Sequence, residues 1–246
     1  MDTLIFLDLD DTIFQTEAKC PQGEPITPAA RHRNGDAVSH ITERQGRFLR
    51  MLDSMGTVIP TTGRNNAALA RVELPFESYR ITNHGAIILD ADGSPLIPWC
   101  EAVLPQLRRF GNTLESMAER TRQAIDELSI AARARVISEF DVPTYVSIKA
   151  EDPNSLSRLH LECQSVWRDL RVHQNGRNLA LLPPPTRKDK AVQFIIEQAS
   201  NGKRPLSIAI GDSLSDIPFL TVCDFAVTPR NSQIQAVTWA AHRVMP

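Results

Sequence analysis

Thr3-Leu4-Ile5-Phe6-Leu7-Asp8-Leu9-Asp10-Asp11-Thr12 is the stretch on which the reading of this chain turns. The apolar run Thr3–Leu7 breaks directly into the carboxylates Asp8, Asp10 and Asp11. A strand that is apolar on successive residues is one buried on both faces, the pattern of a parallel sheet covered by helices. Clustered carboxylates repel one another unless a cation or a hydrogen-bond network compensates. The plainer reading is a turn whose aspartates cap a following helix.

Further strands of the same kind follow outward from this run. Thr57–Ile59, Tyr79–Thr82, Leu206–Ile210 and Phe225–Val227 read as strands, and Ile41–Met55, Asn66–Val72, Lys188–Ala199 and Ile217–Val222 read as helices. Strands alternating with helices predict a parallel α/β core. Pro60 should end its strand, because proline removes a ladder donor. Residues 15–40, with proline, glycine and little periodicity, read as a long loop.

The middle of the chain has another rhythm. Ile87–Leu89 and Pro95–Pro98 flank Asp90-Ala91-Asp92-Gly93, a hairpin signal. A long amphipathic stretch covers Glu101–Leu128, and Asn154–Leu170 is a second helical stretch. Arg135–Glu139, Tyr145–Lys149, Arg171–His173 and Asn178–Leu182 read as strands. Hairpins alternating with helices predict a separate antiparallel sheet with helices on one face. Boundaries are expected near Asn83–Gly85 and at Pro183-Pro184-Pro185, since a triple proline makes a stiff junction. The expected layout is a core of residues 1–85 and 183–246 interrupted by an α+β insert of residues 86–182.

Ligands of parallel α/β sheets bind beyond the carboxyl ends of the strands. Thr61-Thr62-Gly63-Arg64-Asn65 follows the second strand, where a hydroxyl and a glycine at a helix start can hold an anion through backbone N–H groups. Thr186-Arg187-Lys188-Asp189-Lys190 opens the next core helix, with Thr186 and Asp189 at capping-box spacing. At about 100° per residue, Lys188 projects onto the apolar face of Ala191, Val192 and Ile195, and Lys190 projects away from it. A cation on the buried side of a helix N-terminus needs an anion beside it. Gly211-Asp212-Ser213-Leu214-Ser215-Asp216 follows the Leu206–Ile210 strand, where Ser213 and Asp216 again have capping-box spacing. Few carboxylates plus substrate oxygens are the usual setting of Mg2+, and a carboxylate nucleophile forming an aspartyl-phosphate is an established strategy. Neither a Rossmann dinucleotide fingerprint nor a P-loop is present.

Composition narrows the class further. With 246 residues, 42% of them hydrophobic and 23% charged, the chain can bury a core and is not a disordered sequence. Lys and Arg number 27 against 29 Asp and Glu, and a net charge of −2 argues against a nucleic-acid partner. No apolar run approaches the ~20 residues that span a bilayer, so no membrane association is expected. The first residues lack a signal-peptide pattern. Cys20, Cys100, Cys163 and Cys223 lie far apart, without metal or disulfide spacing, as in a cytoplasmic protein with reduced thiols.

These strand-end motifs resemble the haloacid dehalogenase superfamily. Asp8-Leu9-Asp10-Asp11-Thr12, Thr62-Gly63-Arg64, Lys188-Asp189-Lys190-Ala191 and Gly211-Asp212-Ser213-Leu214-Ser215-Asp216 are similar to its four motifs, in order. The resemblance covers roughly residues 1–85 and 185–246. An insert between the second and third motifs resembles the type-two, subclass-B α+β cap of the Cof-like and sucrose-phosphatase-like members, and Asn83-His84-Gly85-Ala86 is similar to their core-to-cap junction. The chain departs from the pattern in Asp189 after Lys188, in Ser215 where relatives often have Asn, and in a longer loop carrying Arg31-His32-Arg33.

The resemblance implies a Rossmann-like core and a Mg2+-dependent phosphatase acting on a small-molecule phosphate ester such as a sugar phosphate. Asp8 would be the nucleophile and Asp10 the general acid and base. Thr62, Gly63 and Lys188 would hold the phosphoryl group. Asp8, the Asp10 backbone carbonyl, Asp212 and Asp216 would hold the metal. Arg31, His32 and Arg33 would meet an anionic substrate from a flap. The competing functions are a phosphomutase of the phosphomannomutase-like branch and a non-catalytic phosphometabolite sensor.

Overall fold

The computed structural model describes residues 3–242. The chain begins with β1 (Thr3–Leu7), then the hairpin β2 (Ile26–Arg31) and β3 (Ala37–Thr42), helix α1 (Glu43–Met55), β4 (Thr57–Pro60), α2 (Asn66–Leu69), β5 (Arg80–Thr82) and β6 (Ile87–Leu89). A second group follows: α3 (Ile97–Arg108), α4 (Gly111–Glu127), β7 (Ala132–Glu139), β8 (Val142–Ala150), α5 (Pro153–Cys163), β9 (Arg171–Asn175) and β10 (Asn178–Leu182). The last elements are α6 (Lys188–Gln198), β11 (Leu206–Ile210), α7 (Ile217–Leu220), β12 (Phe225–Val227) and α8 (Gln233–His242).

The elements fall into two compact units, residues up to Leu96 together with those from Lys188 onward, and Ile97–Arg187. The first is a parallel sheet in the order β12-β11-β1-β4. The pattern that predicts β1 explains its central place. Ile5, Phe6 and Leu7 are fully buried, with β4 on one side and β11 on the other. Truncating such a side chain, as in Phe6→Ala, costs about 3–5 kcal/mol. Pro60 is the last residue of β4, as proline's missing donor requires. α1 starts on a capping box: Thr42 Oγ1 accepts the Gln45 N–H at 3.3 Å, and Gln45 Oε1 accepts the Thr42 N–H at 3.0 Å.

The second unit is an antiparallel sheet, β7-β8-β10-β9, with its own apolar cluster. Leu114 and Ala118 of α4, Leu156 and Leu159 of α5, and Val146, Ile148, Leu179 and Leu181 of the sheet are buried together. Trp167 is buried in the same cluster, and its indole N–H donates to Thr121 Oγ1 at 3.1 Å.

Four local expectations need correction. Residues 15–40 are not a loop: they carry a single 3-10 turn at Glu17–Lys19 and most of the β2–β3 hairpin. The hairpin is fixed by a segment distant in sequence. Arg31 N–H donates to the Arg71 carbonyl at 3.0 Å, and Glu73 N–H donates to Ala29 at 2.8 Å. The expected turn at 90–93 does form, with Asp90 N–H donating to the Ser94 carbonyl at 2.8 Å and Leu96 N–H to the Ile88 carbonyl at 2.9 Å, and β6 also pairs antiparallel with β5, Ile81 opposite Ile88. The first unit runs to Leu96, eleven residues beyond its expected end at 85, and resumes at Lys188 instead of 183. The amphipathic stretch 101–128 is two helices, broken at Arg109–Phe110. Thr186 does not cap α6, because its hydroxyl donates to the Thr144 carbonyl at 3.1 Å and the helix begins at Lys188. Among the described residues, no helix is long and apolar enough to cross a membrane.

Candidate active site

β1, β4 and β11 end side by side, and each delivers its motif to that end of the sheet. Asp8 continues the pairing one residue past β1, its N–H donating to the Ile210 carbonyl at 2.9 Å. The chain then turns tightly. The N–H groups of Thr12 and Ile13 donate to Leu9 at 3.3 and 3.0 Å, and Leu9, Ile13 and Phe14 are fully buried anchors. Asp11 takes a left-handed conformation in this turn, at φ 63°, a region that aspartate tolerates better than most side chains. Its carboxylate lies 2.6 Å from Lys19 Nζ.

Asp8, Asp212 and Asp216 are 6%, 4% and 1% exposed, which makes this a buried group of carboxylates. Lys188 enters from the first turn of α6 and bridges two of them, 2.7 Å from Asp8 Oδ1 and 2.8 Å from Asp216 Oδ1. Its ammonium also lies 5.3 Å from the centre of the Phe219 ring, within cation–π range. Lys190 points elsewhere, toward Gln193. Asp216 divides its oxygens: Oδ2 accepts the Ser213 N–H at 3.0 Å and the Ser213 hydroxyl at 2.7 Å, while Oδ1 takes Lys188. The Ser213–Asp216 spacing thus closes a turn and still leaves one oxygen for the cluster. Gly211 makes this possible, because a Cβ there would lie 2.7 Å from the Asp216 Cβ.

Electrostatics follows from the burial. Burial pushes the Asp8 carboxyl well above the usual range; Lys188 opposes this, and Asp216 and Asp212 add to it. Burial, then the charges of Asp216 and Asp11, push Asp212 up to about 7. Burial also disfavours the Asp216 anion, but Lys188 and Ser213 outweigh it and hold the group below its ordinary value. For Lys188 burial works against the ammonium, and Asp216 and Asp8 more than restore it, leaving the group raised. One cation among three carboxylates leaves surplus negative charge. Oxygens of Asp8, Asp212 and Asp216 lie within 4.8 Å of one another, a hard donor set that could hold a divalent metal ion.

Asp10 belongs to a different grouping. Its two oxygens accept from Arg64, Oδ2 from Nε at 2.8 Å and Oδ1 from an Nη at 2.7 Å. The Asp10 side chain is 45% exposed against 15% for Arg64. The guanidinium sits 5.1 Å from the Phe14 ring centre. Its backbone is held by Thr62, whose Oγ1 accepts the Arg64 N–H at 3.1 Å, and by Asn83, whose N–H donates to the Arg64 carbonyl at 2.8 Å. Thr62 is buried at the end of β4, and Gly63 follows it against His84. A Cβ on Gly63 would fall on that imidazole, which is placed by a backbone at φ 56° and by the His84 N–H donating to Thr62 at 3.1 Å.

Two members of this site were not singled out by sequence reasoning. Thr12 Oγ1 stands 3.2 Å from Asp8 Oδ2 and 3.1 Å from Asp212 Oδ1, one hydroxyl between two acids. Arg64 is the other. Both lie inside the quoted motifs, and only their partners were hidden. Arg31 is committed elsewhere, donating to Glu73 at 2.7 Å and to the Gly35 carbonyl at 3.0 Å. His32 and Arg33 are exposed near the hairpin tip, with no side-chain hydrogen bond or ion pair among the described residues. None of the three touches the carboxylate group.

With this geometry in hand, the chain can be compared with solved structures. It is similar to a trehalose-6-phosphate phosphatase related protein, at 16% identity over 98% of this chain and 96% of that one, with a TM-score of 0.54. The chain has the haloacid dehalogenase-like fold. The sucrose-phosphatase of Synechocystis, solved with sucrose and phosphate, is 18% identical over 98% of this chain and 87% of its own, at a TM-score of 0.54. A haloacid dehalogenase-like hydrolase from B. subtilis is 16% identical over 96% and 92%, at 0.51. No family model matches the chain, and no curated protein matches it in sequence. At these identities the likeness is one of the haloacid dehalogenase-like fold.

Proposed function

We propose that this protein is a Mg2+-dependent phosphatase of a small phosphate ester, best read as a sugar phosphate, working through an aspartyl-phosphate on Asp8. The observation that carries this reading is the buried Asp8 carboxylate at the end of β1, bridged by Lys188 to Asp216 with Asp212 beside them. A dehydrated carboxylate is a stronger nucleophile than a hydrated one, and the adjacent ammonium provides the positive charge that an incoming phosphoryl group needs.

In the first half of the reaction Asp8 attacks phosphorus while Asp10 gives its proton to the leaving ester oxygen. In the second, Asp10 takes a proton from the attacking water, which releases phosphate and restores Asp8. Lys188, Thr62 and the backbone at Gly63 hold the phosphoryl oxygens. Asp8, Asp212, Asp216 and the Asp10 carbonyl would hold Mg2+, whose chemistry is to neutralise the phosphoryl group against these carboxylates. The inserted unit, Ile97–Arg187, would serve as the cap that selects the rest of the substrate and excludes water.

The test is a panel of phosphorylated metabolites with Mg2+, reading free phosphate from wild type and Asp8→Asn. The reading requires phosphate release from at least one monoester without a bisphosphate activator, and none from the variant. Transfer to a second sugar position instead of to water would make it a mutase. A folded Asp8→Asn protein that turns over normally would exclude the mechanism.

A further inference from the structure

Arg64 is a charged group at the strand ends to which the proposed mechanism gives no task, and its geometry is specific. Both Asp10 oxygens face its Nε–Nη edge, at 2.8 and 2.7 Å, the fork that arginine makes with a carboxylate and lysine cannot. The supports of the guanidinium serve that aim. Phe14 lies 5.1 Å away, and the backbone is fixed by Thr62 and Asn83. The phosphate-loop threonine thereby also sets the arginine.

A carboxyl carrying a proton presents one oxygen to the fork and uses the other as O–H. The geometry points to Arg64 as the positioning residue of Asp10: the fork fixes the carboxyl group in the place from which it gives its proton to the leaving oxygen. This rests on the phosphatase reading and on the acid role of Asp10. The step balances. The Asp10 O–H bond breaks, the leaving-group O–H bond forms, the P–O ester bond breaks and Asp8 gains the P–O bond. The charge that appears on Asp10 meets a donor pair already in place, which is the condition for electrostatic help in a transition state.

The consequence is a selective dependence on the leaving group. Arg64→Ala should lose acid assistance alone, on the scale of about 10²-fold. The loss falls on kcat for phenyl phosphate, whose leaving oxygen needs a proton. With p-nitrophenyl phosphate, whose phenolate leaves unaided, the loss is within about threefold, and KM is little changed on either ester because Arg64 does not hold the substrate. Arg64→Lys should behave like Arg64→Ala, since a point charge cannot close a fork, and guanidine added to Arg64→Ala should restore part of the phenyl phosphate rate. A matching Asp10→Asn variant calibrates the test, with melting curves for all three. If Asp10→Asn loses the two esters equally, the acid role falls and Arg64's task with it. If Asp10→Asn discriminates between the esters and Arg64→Ala does not, or if Arg64→Lys is fully active, the positioning role is overturned while the phosphatase reading stands.

Discussion

Asp8 and Asp10 leave the same strand end two residues apart, and each meets a cation. Asp8 sits in a buried group where Lys188 is 9% exposed and serves two acids; Asp10 is 45% exposed and is met by one arginine through two bonds. Where water is excluded, the charges depend on one another, and removing the shared cation leaves two acids unpaired. Where water reaches the pair, the interaction contributes geometry more than stability. The buried group is therefore expected to control both folding and turnover, and the half-exposed fork turnover alone.

The largest effect belongs to Asp8→Asn, which should abolish turnover. The same change removes one of three mutually repelling carboxylates and keeps Lys188 paired with Asp216, so the melting temperature of the metal-free protein should stay level or rise. Loss of both activity and stability would mean that Lys188 needs both partners. Lys188→Ala comes next. It leaves Asp8 and Asp216 facing each other without their cation, and should cost activity and about 3–5 kcal/mol of stability, read by denaturant melts at pH 8. Equal stability in Lys188→Ala and wild type would break the contrast between the two groupings.

Much of this arrangement is legible in sequence, for a physical reason. A parallel sheet gathers its strand ends at one place, so motifs following Leu7, Pro60 and Ile210 converge without any knowledge of packing. Lys188 against Lys190 follows from helix period alone. What stayed hidden depends on distant partners. The β2–β3 hairpin is stabilised by residues 71–73, and its own Pro25 and Pro28 erase the local strand signal. The turn at 90–93 forms as its residues predict, but the second partner of β6, the strand β5 before it, is named by no local signal. Arg64 stands in a quoted motif, yet its carboxylate lies 54 positions earlier and no local rule names it.

A third test concerns protons and metal. Asp8 and Asp212 are raised, Asp212 to about 7. A raised acid stabilises the fold while protonated, so its contribution is present below the ordinary carboxylate range and is lost as pH rises through the folded value. The metal-free protein should accordingly lose stability between about pH 4 and 7. Asp216, being lowered, works in the opposite direction and only at acid pH. A divalent cation replaces those protons, so the melting-temperature gain on adding Mg2+ should be larger at pH 8 than at pH 5.5. An equal gain at both would place the cation elsewhere. The smallest effect is expected for Lys190→Ala, whose ammonium lies 3.5 Å from Gln193 on the exposed side of α6: activity and melting should both stay near wild type. A loss there would mean that the buried group extends beyond Lys188.

Gly63 and His84 carry a consequence of another kind. The imidazole occupies the volume in which a side chain at position 63 would begin, so the two positions share one space. Position 63 cannot take a side chain freely while His84 stays. A larger residue at 63 has to be preceded by a smaller one at 84, which makes Gly63→Ala harmful in the present chain and tolerable in a His84→Ala background. Mutational drift through the phosphate loop is thereby forced into a fixed order, with the residue that flanks β6 changing first.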